Sequence, residues 1–143
     1  MDLLHFSCNV GGLGDYGPDD RPSHENQITR RNILDRMKHI ETNYDRYPDI
    51  VALQETRTSK FKLAPRFGYP VATDDHVQVA STHGLSVQNA RRGVATYADP
   101  LSTTVIPPLD TRAEIVCTVH DYMRSGTRGK KKARIACFNV YRL

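Results

Sequence analysis

The strongest periodic signal in the chain lies between residues 33 and 44. Ile33, Met37, Ile40 and Tyr44 recur at helical spacing with charged residues between them, the pattern of an amphipathic helix. Ser23 offers an N-cap upstream and Pro48 a stop downstream. Ahead of this helix, "LLHFSCNV" (3–10) reads as a strand ended by Gly11 and Gly12, and a polar, Gly- and Pro-rich loop follows through Pro22. Behind it, "DIVALQE" (49–55) places Ile50, Val51, Ala52 and Leu53 in succession, the unbroken apolar run of a buried strand. Strand, long helix and strand make a βαβ unit, so the two strands are expected to be parallel with a right-handed crossover. Parallel strands finish at the same edge of a sheet, which puts Asn9 beside Glu55. In open α/β sheets that edge is where ligands bind.

Past Glu55 the pattern changes to short β-branched segments separated by turn signals: "GYPVAT", "GLSVQ", "RRGVATYAD", "AEIVCTVHDYM" and "ARIACFNVYRL". The last two flank a basic loop and read as a long antiparallel hairpin. "PLSTTVIPPLD", with Pro107 and Pro108, reads as a connection or an edge strand. The fold class expected is α/β: one mixed sheet with a βαβ crossover helix, followed by antiparallel strands. A sheet covered on one face by a single helix must still bury its other face, and nothing in the pattern is assigned to that task.

With 143 residues, 38% of them hydrophobic, the chain suits one domain with a real core. No apolar run approaches a membrane span, and "MDLLHFSCNV" lacks the features of a signal peptide, so an intracellular (cytoplasmic or nuclear) protein is expected. Cys8, Cys117 and Cys137 lie in apolar, strand-like settings and read as buried, reduced thiols. Cys117 and His120 are an odd number of residues apart on a strand, on opposite faces, and do not make a zinc pair. None of the six histidines, at 5, 24, 39, 76, 83 and 120, is assigned a role.

A formal charge of +4 and a pI near 9.1 lean towards a polyanionic partner. The cations are concentrated in Arg30 and Arg31, in Arg91 and Arg92, and in "RSGTRGKKKAR" (124–134). Arg91, Arg92, Arg128, Lys130, Lys131 and Lys132 are the candidate nucleic-acid contacts; "RSGTRGKKKAR" is equally compatible with a solvated hairpin tip turned by Gly126 and Gly129.

Four segments, in order, resemble the endonuclease/exonuclease/phosphatase (DNase I-like) superfamily. "CNVGGL" is similar to the first-strand Asn motif, in a form especially like that of the LINE-type retrotransposon endonucleases. "PDIVALQET" is similar to the signature strand ending in Gln-Glu-Thr, "RRGVATY" to the Gly-Val-Ala strand, and "IACFNVYRL" to the Asn-x-Tyr strand. The resemblance covers nearly the whole chain and implies the N-terminal half of a four-layer α/β sandwich, a single partial domain over 1–143. It implies a Mg²⁺-dependent phosphodiesterase, with Mn²⁺ as the alternative ion, acting on nucleic acid and more on DNA than on RNA.

By the same resemblance, Glu55 is the carboxylate metal ligand, Asn9 helps to place the metal or the phosphate, and Tyr141 hydrogen-bonds a phosphate oxygen. The family's later motifs, an Asp-x-Asn segment and a terminal Ser-Asp-His, have no counterpart in the chain, and Leu143 stands where the family usually has Pro. Weak turnover or none is therefore expected, together with pairing to a C-terminal half. The alternatives are a non-catalytic nucleic-acid-binding domain and a domain that self-associates through its uncovered sheet face. Asp74 and Asp75 are a further, minor carboxylate pair.

Overall fold

A computed structural model describes residues 3–14, 23–58, 60–63, 66–74, 78–81, 84–87, 93–107, 114–126 and 128–141. The elements run β1 (His5–Asn9), α1 (His24–Tyr44), β2 (Ile50–Gln54), β3 (Ala72–Asp74), β4 (Gln78–Ser81), β5 (Gly84–Val87), β6 (Val94–Ala98), β7 (Thr103–Ile106), β8 (Glu114–Gly126) and β9 (Gly129–Tyr141). The chain is thus mixed α/β, mostly strand, with one helix among the described residues.

The helix starts where its sequence says it should. The Ser23 hydroxyl accepts from the Asn26 N–H at 3.2 Å, satisfying one of the donors that a helix start leaves open. Its end differs from expectation. Asp45 takes a left-handed conformation (φ 54°) directly after Tyr44, so a left-handed cap closes the helix before Pro48 is reached. Ile33 and Met37 are buried and Ile40 partly so, whereas Tyr44 is 65% exposed, beyond the packed stripe.

The first sheet has the order β1-β2-β6-β3. β1 and β2 are parallel, as the βαβ pattern predicts, with Asn9 opposite Gln54. β6 runs antiparallel to β2 and pairs Leu53 with Ala95. The alternation of strand side chains then sorts the sheet into two faces. Val51, Leu53, Ala95 and Tyr97 pack with Ile33 and Met37 of α1, joined by Phe6 and Cys8 from β1. Each fully buried aliphatic side chain there contributes on the order of 1.5–3 kcal/mol. Tyr97 reaches through this core to donate its hydroxyl to the Phe61 carbonyl at 2.7 Å.

The other face is where the structure departs from expectation. The long hairpin does not extend the first sheet. β7, β8 and β9 form a second, antiparallel sheet, and β8 and β9 pack across β2, β3 and β6. Val116, Thr118, His120 and Asn139 are the residues buried by this packing. The face expected to lie uncovered is therefore covered by the chain itself, and the apolar surface left open is the outer side of the second sheet, where Phe138 is 62% and Val140 47% exposed. Self-association through the first sheet is corrected accordingly. β4 and β5 make a separate two-stranded hairpin.

"PLSTTVI" resolves into a single 3-10 turn over Pro100–Ser102 and the edge strand β7, and Pro108 lies outside the described residues. The three cysteines are free and half-buried rather than buried. Among the described residues no helix is long and apolar enough to cross a membrane.

Candidate functional site

Two strand tips converge. The Asn9 amide Nδ2 donates to Glu55 Oε1 at 3.1 Å, and Asn9 Oδ1 accepts from the Gly11 N–H at 3.1 Å. The second contact fixes which end of the amide faces the carboxylate, because a backbone N–H requires an oxygen. Glu55 follows β2 directly, and Asn9 ends β1 on the strand beside it. The parallel pairing is what brings residues 46 positions apart into contact.

Glu55 is held in a conformation that a side-chain-bearing residue rarely takes, with φ +53°. Its neighbours explain how that is sustained. The Gln54 carbonyl accepts from Val10 N–H at 2.9 Å, the Thr56 N–H donates to Gly93 O at 3.0 Å, and the Thr56 carbonyl accepts from Leu13 N–H at 2.8 Å. Residues on both sides of Glu55 are pinned, and the backbone between them must turn the carboxylate out at the sheet edge. Strain of this kind costs about 1–3 kcal/mol and persists where surrounding structure over-determines it, commonly at functional sites.

Behind the edge lies a buried amide relay that joins the two sheets. Gln54 Nε2 donates to Asn139 Oδ1 at 2.7 Å and also lies within hydrogen-bonding distance of Ser7 Oγ and the Ala52 carbonyl. Asn139 Nδ2 is shared among the Leu53 carbonyl (3.2 Å), the Ala95 carbonyl (3.0 Å) and Thr96 Oγ1 (3.3 Å). Asn139 is 1% exposed, and the contacts of its amide hydrogens are out of water. Both residues belong to motifs quoted from the sequence, yet neither was assigned a role there. The available signal was a lone amide on the strand face shared with Cys137 and Tyr141.

Arg57 is the other residue that sequence reasoning missed. It too has a positive φ (+56°), and its side chain passes so close to Gly12 that a Cβ there would stand 3.1 Å from it. Gly12 itself sits at φ +118°, so the second glycine of "NVGGL" is required both for its backbone and for Arg57. Arg57 Nε is buried without a hydrogen-bond partner. A buried donor left unpaired beside Gly12 is an exception among native polar groups.

Tyr141 closes β9 and packs with Ala72, Val94 and Val116. Val94 is the register partner of Gln54, which places Tyr141 at the same end of the sheets as Asn9 and Glu55. Arg128, Lys130, Lys131 and Lys132 are exposed and lie at the opposite end of the hairpin. Lys130 precedes Asn139 by nine residues of continuous strand, roughly 30 Å at ~3.3 Å per residue. Arg91, Arg92 and Asp75 fall outside the described residues. The Asp74 backbone pairs with Val94, on the register line of Gln54. Arg30 is committed internally, donating from Nε to the Leu13 carbonyl and lying 5.4 Å over the Phe61 ring.

No family model, curated protein or solved structure matches this chain. The chemistry at the edge must be argued from its donors. One carboxylate beside an amide suits a hard divalent cation of the Mg²⁺ type, which takes one or two protein oxygens and completes its shell with water and substrate phosphate. Among the described residues no three His, Cys, Asp or Glu side chains converge, so there is no thiolate- or imidazole-rich cage of the zinc kind in that set.

Among the described residues, two histidines lie near the sheet interface, His120 buried and His5 exposed, and both are shifted towards the neutral form. Burial lowers the pKa of His120, with His5 adding to the effect, and burial lowers that of His5. His120 is within 3.1 Å of Thr103 Oγ1 and 2.7 Å of Thr118 Oγ1. His5 Nε2 lies 3.8 Å from the Cys137 thiol, whose pKa burial raises.

Proposed function

We propose that the chain is a phosphodiester-binding domain of the endonuclease/exonuclease/phosphatase type, with a Mg²⁺-dependent nuclease site built on Glu55 and Asn9. The observation that carries this reading is the 3.1 Å contact between those two side chains at the shared end of parallel strands. The order helix, sheet, sheet also supports it, as three layers of the four-layer sandwich that the resemblance implies.

In this reading Glu55 is the protein's ligand to the ion. Asn9 orients that carboxylate through Nδ2, and Oδ1 retains a lone pair beside the Gly11 contact for a water or the ion itself. When bound, Mg²⁺ or Mn²⁺ would neutralise charge on the phosphoryl oxygens. Arg57 supplies a second positive group at the same edge, and Tyr141 a phenol for a phosphate oxygen. None of these residues is assigned to activate water, so the expected turnover of this chain alone is low. Nucleic acid is the substrate class that fits the charge, with DNA favoured.

The test is nicking of supercoiled plasmid in Mg²⁺ by the purified chain and by Glu55→Gln, read on a gel at long incubation. Glu55→Gln keeps the shape and the strained backbone and removes the charge, so any Mg²⁺-dependent nicking should vanish. Nicking that survives the substitution unchanged would remove Glu55 from the site.

A further inference from the structure

The hairpin β8–β9 outruns its own sheet. β7 pairs with β8 only as far as His120, yet the β8–β9 ladder continues for six more residue pairs, from Asp121–Arg134 to Gly126–Gly129. That projecting ribbon is roughly 20 Å long at the usual strand rise. It carries six cations, Arg124, Arg128, Lys130, Lys131, Lys132 and Arg134, against one carboxylate, Asp121. Its formal charge of +5 exceeds the +4 of the whole chain, so the rest of the protein is slightly acidic. All six cations are exposed. Neither hydrophobic cluster draws on the ribbon.

Within it, Arg124 stands directly opposite Lys131, an arrangement that costs stability in a free antiparallel pair. Lys130, Lys132 and Arg134 share the other face at alternate positions, and only Arg134 has an acid against it, bonding Asp121 at 2.7 Å. Met123, 49% exposed, stands beside Lys132 above a shallow cleft of about 510 Å³.

We propose that this ribbon seats in the major groove of duplex DNA. A concentrated positive charge on a slender, projecting element calls for a polyanion, and the shape chooses among polyanions. The major groove of B-form DNA admits a two-stranded β-ribbon, whereas the deep, narrow major groove of A-form RNA does not. Phosphates flanking the groove relieve the Arg124–Lys131 repulsion, and Met123 is left to meet base edges. One part of the inference rests on the phosphodiester reading above. Because β9 carries Lys130 and Asn139 on one continuous strand, the ribbon and the Glu55 edge are offset by roughly 30 Å, about nine base pairs at 3.4 Å each. The substrate is then a duplex reaching about one helical turn to one side of the phosphate at Glu55.

The experiment is fluorescence anisotropy with a labelled 24-base-pair DNA duplex and the RNA duplex of the same sequence, in EDTA, over a range of salt. The wild-type chain should prefer DNA. Lys130→Gln/Lys131→Gln/Lys132→Gln should flatten the log–log salt dependence by about 2.7, at ~0.9 per lost phosphate contact. Its thermal melting should be no lower than that of the wild type, because the ribbon lies outside the cores and the substitution removes the Arg124–Lys131 repulsion. A triple variant that binds DNA as the wild type does, or equal affinity for the RNA duplex, overturns the proposal. DNA binding that depends on the three lysines, together with Mg²⁺-dependent nicking that Glu55→Gln leaves unchanged, would leave the ribbon standing and remove the reading of the Glu55 edge.

Discussion

Asn139→Ala is the substitution whose consequence can be worked furthest. The Asn139 side chain accepts one hydrogen bond from Gln54 and offers two amide hydrogens to three acceptors across the sheet interface. About three hydrogen bonds are at stake, each contributing a net ~1 kcal/mol when both partners are buried. Truncation should therefore cost about 3 kcal/mol. The Gln54 amide is only partly stranded, since Ser7 and Ala52 remain within its reach. Against a typical domain stability of roughly 5–15 kcal/mol, the ratio of folded to unfolded chain would fall about 100-fold. The corresponding drop in melting temperature is roughly 10 °C.

Urea unfolding followed by circular dichroism measures this directly, with exposed Asn32→Ala as the control. Asn139→Asp should cost at least as much as Asn139→Ala. It keeps the shape but presents acceptors to two carbonyl oxygens, which separates lost donors from lost volume. If Asn139→Ala moved stability by less than ~0.5 kcal/mol, the range of an ordinary surface change, the amide would not be what ties the sheets together.

Two further outcomes follow from the strained edge and from the two histidines. Glu55→Gly should stabilise the fold by about 1 kcal/mol, because glycine adopts φ +53° without penalty; destabilisation in urea would show that the turn stores no strain. His5 and His120 are held below the ordinary histidine pKa of about 6.5, so the unfolded chain takes up protons more readily than the folded one. Their contribution is complete above that value and is lost as pH falls below it. The melting temperature should drop between about pH 7.5 and 5.5, and His120→Gln should flatten part of the drop; parallel curves for the two proteins would refute it.

The βαβ unit was legible because each step depends on local chemistry. An apolar stripe at helical spacing, an unbroken apolar run and the parallel-crossover rule suffice to bring Asn9 to Glu55. The strands of the second sheet were legible as a hairpin and an edge segment, but its packing across the first sheet was not, and its residues show why. The hairpin turns Thr118, His120 and Asn139 inward beside Val116 and leaves Phe138 and Val140 outward, so hydrophobic alternation does not tell its inner face from its outer one. Those inward polar groups are tolerable only because partners in distant segments satisfy them, His120 with Thr103 and Asn139 with Leu53 and Ala95. No alternation rule contains that information. Arg57 escaped notice for a similar reason, since its significance lies in a contact with Gly12 across the sheet edge. The left-handed cap at Asp45 is a smaller case of the same kind: Pro48 was the stronger local signal, but the backbone had already turned.

The geometry of Glu55 and the relay behind it belong together. A carboxylate on a long side chain is poorly aimed by its own rotamers, because it has three torsions to lose. Here the aiming is done by the main chain. Thr56 is tied to Gly93 and Leu13, the Gln54 backbone is tied to Val10, and the Gln54 side chain is tied through Asn139 to the second sheet. The left-handed turn between them leaves the carboxylate one direction in which to leave the sheet, and Asn9 meets it there. Asn139 in turn belongs to the same unbroken strand as Lys130, Lys131 and Lys132. A duplex seated on the proposed ribbon would therefore be registered against Glu55 by one hydrogen-bonded ladder, with no flexible joint between the ribbon and the edge proposed to take the ion.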